Sequence, residues 1–271
     1  MSASTDQITD AVIDDAILLR TQEQGIVTLT LNRPAQYNAL SSEMLDALQD
    51  ELEGIDSDDA VRVVIIAANG KAFCPGHDLK EMRSSEDRVI HQALFDKCSR
   101  MMLTINRLRQ PVIARVQGIA TAAGCQLAAS CDLAVAAEEA RFAVSGINAG
   151  LFCSTPAVPL SRNMGRKQAM HMLLTGDFIC AATALQYGLV NEVVPGAELE
   201  EATLALAKKI VAKSALAITI GKNMFYRQLE MDLPEAYAYA SERMTCNMDS
   251  LDAREGIDAF IQKRKPEWQG K

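Results

Sequence analysis

Residues 111–136 read PVIARVQGIATAAGCQLAASCDLAVA. After Pro111 a short apolar run, residues 112–116, predicts a strand, and Gly118 breaks it. Small residues at 123–130 predict a helix, and 133–136 returns to strand character. A strand that turns directly into a helix of Ala, Gly and Cys exposes free backbone N–H groups at a positive dipole end.

Upstream, Ile26, Thr28 and Thr30 alternate with Val27, Leu29 and Leu31, and residues 17–19 precede them, so the chain opens with a β-hairpin or paired strands. A turn at Asn32, Arg33 and Pro34 leads to Ser41 or Ser42, which caps a helix with Met44, Leu45, Leu48, Leu52 and Ile55 on one face. Residues 61–67 are apolar enough for a strand buried on both faces. A long helix carrying Val89, Ile90, Leu94, Met101, Met102 and Ile105 ends before Pro111. Downstream, a strand or turn begins near Phe142. From about Ser161 the pattern is one of consecutive helices, with turns at Gly176, Gly188, Pro195-Gly196 and Pro234. The expected organisation is an α/β core over residues 1–200 and a helical region over 201–271. Its stripe of Leu216, Ile220, Met224 and Phe225 suits an oligomer interface.

Composition narrows the function. The 271 residues are 49% hydrophobic and 23% charged, with net charge −8, which describes a soluble globular chain long enough for one large core. The acidic balance disfavours nucleic acid as a partner. The uncharged stretch from Phe142 to Ser161 contains Gly146, Asn148, Gly150, Pro156 and Pro159, and reads as buried loop and strand rather than a membrane span. Asp6, Asp10, Asp14 and Asp15 stand in an opening without Lys or Arg, unlike a secretory or transit segment, so a cytosolic protein is expected. Seven cysteines without close pairing, Cys74, Cys98, Cys125, Cys131, Cys153, Cys180 and Cys246, read as reduced and mostly buried thiols. His77, His91 and His171 lack metal-ligand spacing. Serine-hydrolase, Walker and Rossmann glycine patterns are absent.

Two segments set backbone amides in an unusual context: GKAFCPGHDLK at 70–80 and GIATAAGCQ at 118–126. If they converge, two N–H donors would meet one carbonyl oxygen, as an oxyanion hole requires. These segments, with LNRPAQYNAL at 31–40, LTGDFICAATALQYGLVNEVVP at 174–195 and EGIDAFIQKRKPEW at 255–268, make the chain resemble the enoyl-CoA hydratase/isomerase (crotonase) superfamily over nearly its whole length. Within it, GHDLKE and ATAAGCQL are similar to the loops of enoyl-CoA hydratase domain-containing proteins.

The resemblance implies a ClpP/crotonase-like spiral of strand-strand-helix units. It also implies a C-terminal region that builds homotrimers or dimers of trimers. The ligand would be coenzyme A as part of an acyl thioester, with no separately bound cofactor. It assigns the oxyanion donors to the N–H groups of His77 and Ala123. Arg33, Ala35, Gln36 and Ala39, together with Asp78, Leu79 and Lys80, would border the coenzyme, and Phe260 and Lys263 would meet its nucleotide end. The family's two glutamate positions are Gln126 and Gly146, which exchange no proton. General acid–base groups contribute roughly 10²- to 10⁴-fold each, so the resemblance implies thioester polarisation without the proton carriers of the usual hydratase route.

Three readings stay open: a hydratase or isomerase, an acyl-CoA hydrolase or decarboxylase, and a silent acyl-CoA binder. His77, Cys153 and Ser154 are candidate replacements for the carboxylates; against this, Cys153 also reads as a small buried hydrophobe. Asp78 is expected to cap the next helix, Glu81 to be solvated, His91 to be solvated or capping, and His171 to be structural. Lys263, Arg264 and Lys265 more simply form a solvated face.

Overall fold

The computed structural model describes residues 16–271, so the acidic opening at 1–15 lies outside the described residues. Strands β1 (Leu18–Glu23) and β2 (Ile26–Leu31) form the expected antiparallel hairpin. Its two-residue turn places Gln24 and Gly25 at positive φ, the geometry that matches strand twist. Next to β2 lie β3 (Val63–Ala68), β5 (Val112–Val116), β7 (Leu133–Ala137) and β10 (Glu192–Val194), all parallel, in the order β1-β2-β3-β5-β7-β10. A second sheet is built from β4 (Ala72–Cys74), β6 (Ile119–Thr121), β8 (Arg141–Ala143) and β9 (Ile179–Cys180).

Period-two alternation divides the large sheet between two cores. Val64, Ile66, Val112, Ala114 and Val116 face one side. There they meet α1 (Ser42–Asp56), α3 (Arg88–Arg107) and α4 (Ala123–Ser130). Val63, Ile65, Ala67, Ile113 and Val135 face the other, which α8 (Leu199–Val211) covers. Residue 200 therefore falls in the first turn of a helix that packs on β3, β5 and β7. Ser41 caps α1 by accepting from the Met44 N–H, and all five apolar residues expected on its inner face are buried.

Several expectations need correction. The run read as consecutive helices contains β9 and β10, strands too short to show a period. Helix α5 (Ser154–Asn163) starts before Ser161, with α6 (Arg166–Thr175) and α7 (Ala181–Tyr187) after it. Val89 and Ile90 are exposed because the first turn of α3 overhangs the core. Leu151 and Phe152 are exposed too, so the uncharged stretch is not buried throughout. His171 is exposed on α6. Cys74, Cys98, Cys125, Cys131 and Cys153 are buried, and Cys180 and Cys246 are exposed. No described helix is long and apolar enough to cross a membrane.

Beyond α8 come α9 (Ala215–Gln228), α10 (Leu233–Met248) and α11 (Leu251–Gln262), which pack on one another. A buried cluster docks α9 on the core. Lys222 Nζ donates to Asp132 Oδ2 at 2.6 Å and to the Ile105 and Gln110 carbonyls at 2.9 Å, and the Tyr226 hydroxyl donates to Asp132 Oδ1 at 2.8 Å. With all three ammonium protons placed, the ion pair is fully satisfied. The C-terminal tail folds back onto buried Asp252, which accepts from Ser214 Oγ and from the Gln269 and Gly270 N–H groups.

Candidate functional site

The two amide-bearing loops converge. Strand β4 pairs in parallel with β6, and the chain after β6 enters α4 through Ala122. Close approach is possible because Gly124 has no side chain: a Cβ there would stand 2.0 Å from the Cys74 carbonyl oxygen. Gly76 holds φ +106°, and a Cβ on it would lie 3.2 Å from the Ala123 nitrogen and 2.9 Å from the Ala122 Cβ. Ala122 itself sits at φ 49°, ψ −122°, a strained conformation for a residue with a side chain. Its N–H donates to the Ala143 carbonyl at 3.1 Å, which holds the turn in place.

The orientation of the His77 amide follows from its neighbours. Leu40 N–H donates to the Gly76 carbonyl at 2.8 Å, and Asp78 N–H donates to the Leu40 carbonyl at 3.3 Å. In this parallel bridge His77's own N–H points away from Leu40. Ala123 N–H opens α4 and has no intrahelical acceptor. Among the described residues neither amide donates to a backbone carbonyl.

The His77 ring meets Phe95 edge-on at 5.6 Å, its Nδ1 stands 3.4 Å from the Leu40 carbonyl oxygen, and its Nε2 is buried without a partner. Burial pushes its pKa below the usual imidazole range; the Leu40 carbonyl and Glu81 oppose the shift. The carbonyl only accepts, so the fitting tautomer protonates Nδ1 and leaves Nε2 as a bare acceptor. Gln126, one turn into α4, is 3% exposed and its Oε1 has no partner.

Gly146 stands in a turn folded back on itself. Its N–H donates to Cys153 Sγ at 3.3 Å, and its carbonyl accepts from Leu151 N–H at 2.9 Å. A Cβ on Gly146 would meet Leu151 O at 2.7 Å and Cys153 Sγ at 2.8 Å. Burial raises the Cys153 thiol's pKa, and that of Cys125 to about 12. Ser154 is exposed, its hydroxyl donating to the Phe152 carbonyl, and Asn148 is exposed as well. Among the described residues no histidine or carboxylate is hydrogen-bonded to the Cys153 thiol or the Ser154 hydroxyl.

Residues 33–39 run beside the His77 loop through the Leu40 bridge. Arg33 donates to Ser41 Oγ at 2.9 Å; Ala35 and Gln36 are exposed in a 3-10 turn, and Ala39 is buried. Asp78 caps α2 (Leu79–Arg83), accepting from the Lys80 and Glu81 N–H groups, while Leu79 and Lys80 are exposed. His91 Nε2 lies 3.0 Å from the Met82 carbonyl oxygen and 3.1 Å from that of Ser85, closing the end of α2. Glu81 is not solvated as expected: it accepts from both the N–H and the hydroxyl of Ser42. Asn38 escaped sequence reasoning. It is buried at φ 64°, with Nδ2 donating to the Asn69 and Ala72 carbonyls, and an Asn following a Pro turn was the available signal.

Phe260 and Lys263 lie on the last helix and at its C-cap, Phe260 at 86% exposure. No hydrogen bond or ion pair among the described residues joins them to either loop. Of the basic triplet, Arg264 is paired with Glu255 rather than simply solvated.

A family model described as enoyl-CoA hydratase/isomerase matches residues 21–271. The human protein named enoyl-CoA hydratase domain-containing protein 3, mitochondrial, is 49% identical over 91% of this chain and 82% of its own length. An Escherichia coli protein named 2,3-dehydroadipyl-CoA hydratase is 35% identical, with coverage of 94% and 99%. A crystal structure described as an enoyl-CoA hydratase of Mycobacterium smegmatis superposes with TM-score 0.92 at 56% identity, covering 94% of this chain and 99% of that one. The fold is the crotonase fold expected from the resemblance. The mitochondrial names of the human, rat and zebrafish relatives overturn the cytosolic expectation. That expectation rested on the charge of residues 1–15, which says nothing about where the folded core works.

Proposed function

From the premise that the chain belongs to the enoyl-CoA hydratase/isomerase family, we propose that it binds an acyl thioester of coenzyme A and polarises its carbonyl between the N–H groups of His77 and Ala123. The approach of Gly76, the residue before His77, to the Ala123 nitrogen, with neither the His77 nor the Ala123 amide given to a backbone carbonyl, carries this reading. Preorganised donors aimed at a developing oxyanion are worth about 10²- to 10³-fold each. Arg33, Ala35, Gln36 and Ala39 would border the coenzyme with Asp78, Leu79 and Lys80. Phe260 and Lys263 would meet its nucleotide end in an oligomer, a role that suits their exposure.

The proton inventory supports some reactions over others. Hydration of an enoyl group needs one group to activate water and another to protonate carbon; here Gln126 is an amide and residue 146 a glycine. One neutral imidazole with a free Nε2 suffices for hydrolysis, where it takes the proton of an attacking water and thiolate leaves. Decarboxylation needs no base: carbon dioxide departs, the electrons enter the carbonyl oxygen, and a water held at Nε2 would give the proton to carbon, its hydroxide being taken up by the carbon dioxide as bicarbonate. We therefore place these two ahead of hydration.

Incubation with enoyl-, 3-hydroxy-, malonyl-type and saturated acyl-CoA esters, followed by product mass, tests this. Free coenzyme A or loss of carbon dioxide is expected, with turnover lowered at least tenfold in His77→Ala; turnover unchanged by that substitution removes the imidazole from the mechanism. A second reading, a silent acyl-CoA binder, is favoured by the loss of ionisable side chains at 126 and 146 and predicts binding with no mass change.

A further inference from the structure

We propose that Glu81 is a positioning residue for the thioester site, a latch that ties the His77 loop to the start of α1; this rests on the thioester reading above. Glu81 Oε2 accepts the Ser42 N–H at 2.9 Å, and Oε1 accepts the Ser42 hydroxyl. Ser42 is the first residue of α1, where unpaired N–H groups and the positive dipole end favour a carboxylate. Helix α1 is a firm anchor, since Met44, Leu45, Leu48, Leu52 and Ile55 are fully buried.

The latch closes a strap around one peptide unit. Residues 76–81 are joined to residues 40–42 through Leu40 N–H to the Gly76 carbonyl, Asp78 N–H to the Leu40 carbonyl, and Ser42 to Glu81. Asp78 begins α2 and carries Glu81 one turn onward, so the capping bonds of Asp78 set where Glu81 can reach. All three ties lie on the Leu40 side, and the His77 N–H points to the other. Helix α2 has only five residues, none fully buried, and of them Met82 packs against the core, so a single partly buried side chain is left to hold the helix if the latch is lost.

The readout is the carbonyl rather than stability alone. Bound 2,4-hexadienoyl-CoA reports polarisation through a red shift of its ultraviolet absorption, and free coenzyme A reports the nucleotide-binding residues separately. Glu81→Ala is expected to lose at least half of the red shift while affinity for free coenzyme A stays within twofold. Glu81→Gln, which still accepts from Ser42, is expected to keep most of it.

Ser42→Pro approaches the latch from the other partner. Proline suits a first helical position and removes both donors at once, and Ser41 already holds an extended ψ of 165°. It is expected to reproduce the Glu81→Ala loss. A red shift that survives both Glu81→Ala and Ser42→Pro would overturn the role of Glu81 and leave the thioester reading standing. A bound ester without any red shift in the unaltered chain would overturn both.

Discussion

The loops that carry the His77 and Ala123 amides and the turn that carries Gly146 and Cys153 are held in different ways. The first pair is clamped by main chain and by absent side chains: Gly124 against the Cys74 carbonyl, Gly76 against Ala122, and the Leu40 bridge beside His77. The second region is a turn closed by one thiol and a few backbone bonds, with exposed Leu151 and Phe152 at its tip. An amide donor is indifferent to its own side chain, so an Ala at 123 leaves the donor intact. Proton transfer belongs to side chains alone, and residue 126 offers an amide and residue 146 no side chain.

The largest effect tests the clamp from its far end. Asp132 follows α4, and Lys222→Met removes its buried partner, at an expected loss of about 3–5 kcal/mol in urea unfolding; a loss under about 1 kcal/mol would show that α4 is held without α9. Gly124→Ala should cost about 3 kcal/mol, the upper range for overpacking, because its new methyl meets backbone rather than a movable side chain.

Gly76→Ala adds a left-handed strain of about 1–3 kcal/mol and a contact with Ala122. Weaker binding of acyl-CoA esters is expected, with affinity for free coenzyme A kept; unchanged ester binding would separate the gap from the thioester. In the turn, Gly146→Ala should destabilise by about 1–2 kcal/mol, and Gln126→Glu combined with Gly146→Glu should still fail to hydrate crotonyl-CoA, because the Leu151 carbonyl and the Cys153 thiol occupy the space. Hydration by that double variant would mean the two regions differ only in their carboxylates.

The smallest effect is a pH dependence. The folded-state pKa of His77 is lowered from about 6.5 by burial, so the unfolded chain binds the proton more readily. Its contribution is fully present above that unfolded value and is lost as pH falls through it, levelling off below the folded pKa. Thermal melts from pH 8 downward should show this slope, and His77→Asn should flatten it.

Much of the fold was legible. The inner face of α1 follows from periodicity, and α4 and the strands read at 112–116 and 133–136 follow from small-residue and apolar runs between breakers, all of which need only neighbouring residues. Strands β4, β6, β9 and β10 did not, since two or three residues show no period and gain strand geometry only from their partners. Within the site, Asp78 as a cap was readable from local sequence, whereas Glu81 was not. Its partner Ser42 is 39 residues away, and a carboxylate on a short helix looks solvated until α1 is placed beside it.

By itself the amino-acid sequence determined the family and the residue types at 77, 123, 126 and 146, with no carboxylate at 126 or 146, because these are matters of identity in order. Only the tertiary structure decided that the two loops meet, that the His77 amide turns away from Leu40, that Glu81 joins Ser42, and that Cys153 fills the space beside Gly146. Those are contacts between segments far apart in the chain. They depend on backbone direction and on side chains that are missing, which composition and spacing do not encode.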